Sequence, residues 1–343
     1  MAQTYSIGVD LGGTNLRIAS YSEALGLMDT ISLPTRLVEG RERVVRDLCD
    51  AVVSLKKKNY DGRMLAGVGI GAPGPLELPE GILRNPPNLH GWDGFDLRKA
   101  VELCLGHSVD IAKDGNAAAL AEARLGAGRE QRVDSLSILT LGTGVGNGLV
   151  LNGRIWHGST GMAGEAGHCI VQAEDGAPCG CGGFGCLEQY ASATAIQRMA
   201  RERMGSEAPA SANALFLMAQ DGEPRARSVF ETVGFSLAIA LTGLVNTLNL
   251  PLYLLGGGVC EAWEMFAPTM FRELHVRSYV YRLTEPKERD PAALERHRTY
   301  ILRAPLGSGA GLLGACLLPY EREESGTAEA PRSLHLIANT MRS

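Results

Sequence analysis

No excess of positive charge runs through this chain: 33 Lys and Arg against 38 Asp and Glu leave a net charge of −5. Without a basic field, nucleic acid is not an expected partner. Nor does any stretch of about 20 residues read as uncharged and apolar throughout, so no membrane span is expected. The opening residues, Met1-Ala2-Gln3-Thr4-Tyr5, lack a basic segment leading into an apolar one. No export signal is read there, and the cytoplasm is the expected compartment. Aromatic residues are few, with seven Phe, nine Tyr and three Trp. Glycine is what the chain has: 43 of 343 residues, much of it clustered where backbone must approach something closely. With 45% hydrophobic residues the length supplies two cores, so two domains are the default.

Residues 5–10 read as a strand, 11–15 as a glycine turn and 16–21 as a returning strand. Apolar residues at helical spacing mark 41–58 as a helix ending in three lysines, which suits the macrodipole. A buried strand follows at 65–70, a loop at 71–75, a helix at 96–105, a strand at 108–112 and an Ala-rich helix at 116–125. The pattern then restarts with a strand at 136–141, a turn at 142–146 and a strand at 148–151. This repeat at about 130 residues points to two related α/β halves. Further on come a long apolar helix at 229–248, a strand at 252–255, a glycine turn at 256–258 and a last apolar helix at 309–317. Beyond residue 320 the composition turns polar and a mobile tail is expected.

Three glycine turns each abut an apolar strand. Phosphates bind to backbone N–H groups and hydroxyls that no Cβ obstructs. Asp10-Leu-Gly-Gly-Thr14 offers such a cradle, with Thr14 as a donor and Asp10 as a carboxylate able to hold Mg²⁺ through water. Gly142-Thr143-Gly144-Val145-Gly146 offers a second. Gly256-Gly257-Gly258 offers a surface on which a flat base can lie. One such turn alone is an ordinary hairpin. Three in this order are a nucleotide signal.

Cysteine is not spread as a disulfide framework would be. Cys179, Cys181 and Cys186 crowd into eight residues shortly after His168, in a chain read as cytoplasmic. Three thiolates and one imidazole are the ligand set of a closed tetrahedral Zn²⁺ site, and the intervening glycines let so short a loop fold back on one ion. Cys169 is left out, because an extended segment points its side chain away from that of His168. Asp114 stands between the strand at 108–112 and the helix from Asn116, where an open α/β sheet exposes functional groups. On position alone it is as much a helix cap as a catalytic base.

The turns together resemble the actin-like ATPase superfamily and, within it, the ROK family. Val9-Asp10-Leu11-Gly12-Gly13-Thr14-Asn15 is similar to the first phosphate motif. Leu141-Gly142-Thr143-Gly144-Val145-Gly146-Asn147-Gly148 is similar to the second, and Leu255-Gly256-Gly257-Gly258-Val259 to the adenosine motif. The likeness spans about residues 5–318 and implies two actin-like (ribonuclease H-like) α/β domains flanking a cleft, with a zinc-bound loop in the second. The first would comprise residues 1–125 with 308–319, the second 126–307, and the tail 320–343.

Gly164-Glu165-Ala166-Gly167-His168 and the Cys179–Glu188 segment form a matched pair in sugar kinases of that family. The resemblance implies that His168 binds zinc and faces the sugar, and that Glu165 and Glu188 hydrogen-bond sugar hydroxyls. It further implies that Asn88 reaches vicinal hydroxyls, that Gly74 lies in the loop over the sugar, and that Asp114 is the base. Trp92 is expected to pack the loop. Lys113 departs from the family, where Asn is usual. An ammonium donates but cannot accept, so either a sugar hydrogen bond changes or the lysine faces solvent. A cation there also favours the ionised form of Asp114.

The function implied is ATP-dependent phosphorylation of a hexose, glucose to glucose 6-phosphate, by a dimer. The alternatives are a kinase for fructose, N-acetylmannosamine or N-acetylglucosamine, or a non-catalytic sugar sensor. A repressor of the family would carry an N-terminal DNA-binding helix pair, for which the first phosphate motif, starting at residue 9, leaves no room. A filament or chaperone ATPase would have no use for the zinc loop.

Overall fold

The computed structural model describes residues 4–58, 60–87, 89–289 and 293–324. Two five-stranded mixed sheets carry the fold. The first uses β1 (Thr4–Leu11), β2 (Asn15–Ser22), β3 (Gly26–Pro34), β4 (Met64–Ala72) and, after a small ribbon of β5 (Leu76–Glu77) and β6 (Ile82–Leu83), β7 (Asp110–Lys113). Its order is β3-β2-β1-β4-β7. The second uses β8 (Leu136–Leu141), β9 (Val145–Leu151), β10 (Arg154–Ile155), β11 (Leu252–Gly256) and β12 (Tyr300–Arg303), in the order β10-β9-β8-β11-β12.

The two sheets match strand for strand. In each, three antiparallel strands are followed by two parallel ones: β1 pairs antiparallel with β2 and parallel with β4, as β8 does with β9 and β11. Parallel strands are covered on both faces, which is why β11, Leu-Tyr-Leu-Leu-Gly, is buried along its whole length. Because β1, β4 and β7 run the same way, their last residues share one edge of the sheet, and β8 and β11 do likewise.

Helices cover these sheets. α1 (Arg41–Lys56) and α2 (Leu97–Leu105) bury their apolar residues in the first core. α3 (Asp114–Arg124) begins directly at the end of β7, two residues before the expected start, and lies on β9; α4 (Ala127–Gln131) follows. Their contact is close: a Cβ on Gly148 would fall 1.9 Å from the carbonyl oxygen of Gly115. α5 (Glu188–Ala191), α6 (Ala193–Met204), α7 (Ala212–Gln220), α8 (Pro224–Leu248), α9 (Trp263–Arg277) and α10 (Tyr279–Thr284) build the second core.

Contrary to the expectation that no such segment exists, α8 is long and apolar enough to cross a membrane by length and composition. Its packing gives the reason for its composition: Val229, Phe230, Val233, Leu237 and Leu241 are buried in the second core. It starts at Pro224, a residue suited to a first helical position, and stops at Asn249 in the left-handed region.

α11 (Ala310–Glu324) lies on β1 and β4, where Gly8 and Gly69 leave room for its backbone; Ser6 donates to the Cys316 carbonyl at 2.6 Å. Residues 320–324, read as the start of the tail, are helical, and the rest of the tail lies outside the described residues.

Candidate functional site

A cavity of about 270 Å³ opens where the strand ends of both sheets meet. Its walls include Pro73 and Gly74 after β4, Lys113 at the end of β7 and Asp114 after it, Gly142 to Gly144 after β8, Val145 and Gly146 at the start of β9, Gly257 after β11, and Glu165, His168 and Glu188. A second cavity of about 280 Å³ lies among β2, α3, α4 and α11, and it holds none of the residues singled out above. The residues singled out above gather in the first.

Asp114 is the first residue of α3 rather than its cap, and its Oδ1 accepts the Gly115 N–H at 2.6 Å. That bond satisfies one of the free amides of a helix start from the first helical position. Burial pushes its carboxyl up to about 6, against the opposing pull of the Gly115 amide and the Lys113 ammonium; the Asp10 and Glu165 charges push the same way as burial. The lysine acts in the expected direction, but burial outweighs it.

Of its two expected courses, Lys113 does not take the second. It is 3% exposed, so it does not face solvent. Its Nζ donates to the carbonyls of Ala163 at 2.9 Å and of Gly164, and to Glu165 Oε1 at 2.7 Å. A buried ammonium needs such partners, and the loop at 163–165 provides them. His157, on the same loop, is shifted down from its ordinary value by burial and by the Lys113 charge.

The second glycine turn is shorter than read, because β9 starts at Val145. It is tied to the segment that bears Glu188. Glu188 Oε2 accepts from the Val145 N–H at 2.9 Å, Ala193 N–H donates to the Gly142 carbonyl at 2.8 Å, and Thr194 Oγ1 donates to the Thr143 carbonyl at 2.8 Å. A Cβ on Gly144 would lie 2.3 Å from Glu188 Oε2. Gly257 has φ +88 and packs on the Leu141 backbone, while Gly258 faces open space.

The first turn lies outside the walls of the cavity. Gly12 N–H closes it on the Asn15 carbonyl at 2.9 Å, Gly13 and Thr14 follow, and Thr14 and Asn15 are exposed. Asp10 forms an ion pair with Arg17, whose Nε donates to Oδ2 at 3.0 Å. Sequence reading missed Arg17, although a tight hairpin after Asp10 pairs the two across β1 and β2. Asn88 lies outside the described residues; its neighbour Pro87 lines the cavity. Trp92 is buried against Phe95, 5.3 Å between ring centres. The loop expected at 71–75 starts only after Ala72, the last residue of β4.

His168, Cys179, Cys181 and Cys186 bring their donor atoms within 4.8 Å of one another. A tetrahedral ion with metal–sulfur bonds of about 2.3 Å sets its sulfurs about 3.8 Å apart. Cys181 Sγ and Cys186 Sγ are 3.7 Å apart, and Cys179 Sγ is 3.6 Å from His168 Nδ1. The four residues therefore fit such an ion. With Nδ1 turned to the thiols, His168 Nε2 lies 4.0 Å from Glu165 Oε2, on the cavity side. Cys169 stays out of the cluster for a reason other than the one expected: His168 ends a short 3-10 turn rather than sitting in an extended segment.

A sequence profile of the ROK family matches residues 6–321. A glucokinase from Halalkalibacterium halodurans is 33% identical over 95% of this chain and 98% of its own length. An N-acetylmannosamine kinase from Yersinia pestis is 31% identical over 74% of this chain and 82% of its own. Among solved structures, a ROK hexokinase from Thermus thermophilus superposes with a TM-score of 0.77 at 33% identity, covering 94% of this chain and all of that one. A ROK glucokinase from Streptomyces griseus, solved with glucose and AMPPNP, gives 0.71 at 30% identity, over 91% of this chain and 98% of that one.

Proposed function

This chain belongs to the ROK family, and from that premise we propose that it transfers the γ-phosphoryl group of ATP to the 6-hydroxyl of glucose. One observation carries the reading. Asp114, with its carboxyl pushed up to about 6, shares a cavity with Glu165, His168, Glu188 and the second glycine turn. A base of that strength is ionised at neutral pH yet close enough to it to take a proton readily.

In this reading the sugar lies against Glu165, His168, Glu188 and Asn88, beneath the loop that holds Gly74. The 6-hydroxyl donates to Asp114. As its oxygen bonds to the γ-phosphorus the proton passes to Asp114, and the bond to the ADP oxygen breaks. The phosphates lie between the Asp10–Asn15 and Gly142–Gly144 turns, and the adenine lies near Gly257 and Gly258. Asp10 would hold Mg²⁺ through water, and the ion when bound neutralises charge on the phosphate oxygens. His168, Cys179, Cys181 and Cys186 would hold Zn²⁺, which when bound fixes the imidazole and the loop that carries Glu188. We take residues 1–125 with 308–319 as one body and 126–307 as the other, closing on the sugar and excluding water from ATP.

The identity to an N-acetylmannosamine kinase supports a second reading, in which the sugar is an N-acetylhexosamine. A panel of hexoses and N-acetylhexosamines at fixed ATP, with the phosphorylated position identified, separates the two. Glucose 6-phosphate should dominate. Equal or faster turnover of N-acetylmannosamine or N-acetylglucosamine would overturn glucose, and no phosphorylated sugar at all would overturn the kinase.

A further inference from the structure

Lys113 is the one buried lysine among the described residues of the cavity wall, and its hydrogen bonds account for all it can make. An ammonium has three N–H donors and no acceptor. The Ala163 carbonyl, the Gly164 carbonyl and Glu165 Oε1 take all three. None is left for a ligand.

The partners are far off in sequence and tightly held in space. Lys113 ends β7 in the first sheet, while residues 163–165 follow β10 in the second. Gly164, at φ +77, is pressed on its other side against β9: a Cβ there would fall 2.7 Å from the Asn147 carbonyl oxygen. The lysine stem is equally confined, since a Cβ on Gly74 would lie 2.6 Å from Lys113 Cδ. The loop is thus clamped between β9 and the lysine. With Oε1 of Glu165 bound by Lys113, Oε2 is the oxygen on the His168 side, 4.0 Å from Nε2.

We propose that Lys113 is a positioning residue for the sugar. It contributes no hydrogen bond of its own, ties the 163–165 loop of one half to β7 of the other, and presents Glu165 Oε2 to a sugar hydroxyl beside the zinc-site imidazole. This rests on the hexose-kinase reading. It makes residue 113 a determinant of how firmly the sugar is held, not of how fast the phosphoryl group moves.

The test compares the parent with Lys113→Met, which keeps the stem and removes the cation, and with Glu165→Gln. Sugar affinity is measured by calorimetry without ATP, and kcat and both KM values by a coupled assay. In Lys113→Met the sugar Kd and KM should rise about tenfold or more, with kcat and the ATP KM within about threefold of the parent. The double variant Lys113→Met/Glu165→Gln should bind sugar no worse than Glu165→Gln alone, because the lysine acts through that carboxylate. An unchanged sugar Kd overturns the inference, as does an equal rise in both KM values, the mark of general loosening. If Lys113→Met does not fold, the double variant, which leaves no unpaired carboxylate at residue 165, carries the comparison. Sugar binding far weaker than that of Glu165→Gln then overturns the inference. A parent that binds hexose but transfers no phosphoryl group defeats the kinase reading and leaves the binding arm intact; a parent that binds no hexose overturns both.

Discussion

The two sheets have the same strand order and different chemistry at the same places. Asp10, next to last in β1, pairs across the hairpin with Arg17; Thr140, next to last in β8, pairs with Gly146. The first sheet has an ion pair where the second has a hydroxyl beside a glycine. At the parallel edge β7 ends in Lys113 and is followed by Asp114, whereas β12 ends in Arg303 and is followed by Ala304, whose N–H returns a backbone bond to the Leu255 carbonyl. Repetition therefore extends to backbone and not to charge. The first half brings the buried Asp114 and the paired carboxylate of Asp10. The second brings the open glycine wall and the anchored loop.

The largest effect that would sharpen this contrast is at Asp114. Asp114→Asn should lower kcat by about 10³-fold or more, with sugar Kd changed only a few-fold. Its pKa is raised on folding, so the native state binds more protons between the usual carboxylate range and about 6, and stability falls as pH rises through that window. The variant should therefore melt higher than the parent at pH 7.5 and no higher at pH 4. A full-rate variant would remove the asymmetry altogether.

Next comes the loop of the second half. Metal analysis of the purified protein should find one zinc per chain. Cys181→Ser should lose it and raise the sugar KM by about 10- to 100-fold while moving the ATP KM little. A metal-free parent of full affinity would break the comparison.

Smaller shifts should separate the two turns. Gly144→Ala drives a Cβ to 2.3 Å from Glu188 Oε2, so sugar and ATP KM should rise together. Gly12→Ala meets only the Asn15 carbonyl oxygen, at 2.9 Å, and should move the ATP KM alone. Smallest is Arg17→Leu. The pair it breaks is partly exposed, and the ATP KM should rise about threefold, in keeping with the modest worth of such pairs.

Features built from near neighbours were legible in the chain. The glycine turns and the Cys179–Cys186 cluster declare themselves within a dozen residues, and Asp114 is marked out by its place after a short strand. The repeat of the sheets was visible because strand, turn and strand recur. What escaped depends on distant partners. Nothing near Lys113 announces that residues 163–165, fifty positions on, will absorb its three donors. Arg17 required the register of a hairpin, and β10 and β12 are too short to carry a periodic signal. The start of α8 at Pro224 was missed because its first turn is polar, and apolar spacing appears only from Val229.

The account stands most directly on the dependence of kcat/KM for glucose on pH. If Asp114 takes the proton from the sugar, the rate constant should fall on the acid side with an apparent pKa near 6. A profile that stays flat down to the ordinary carboxylate range would contradict it.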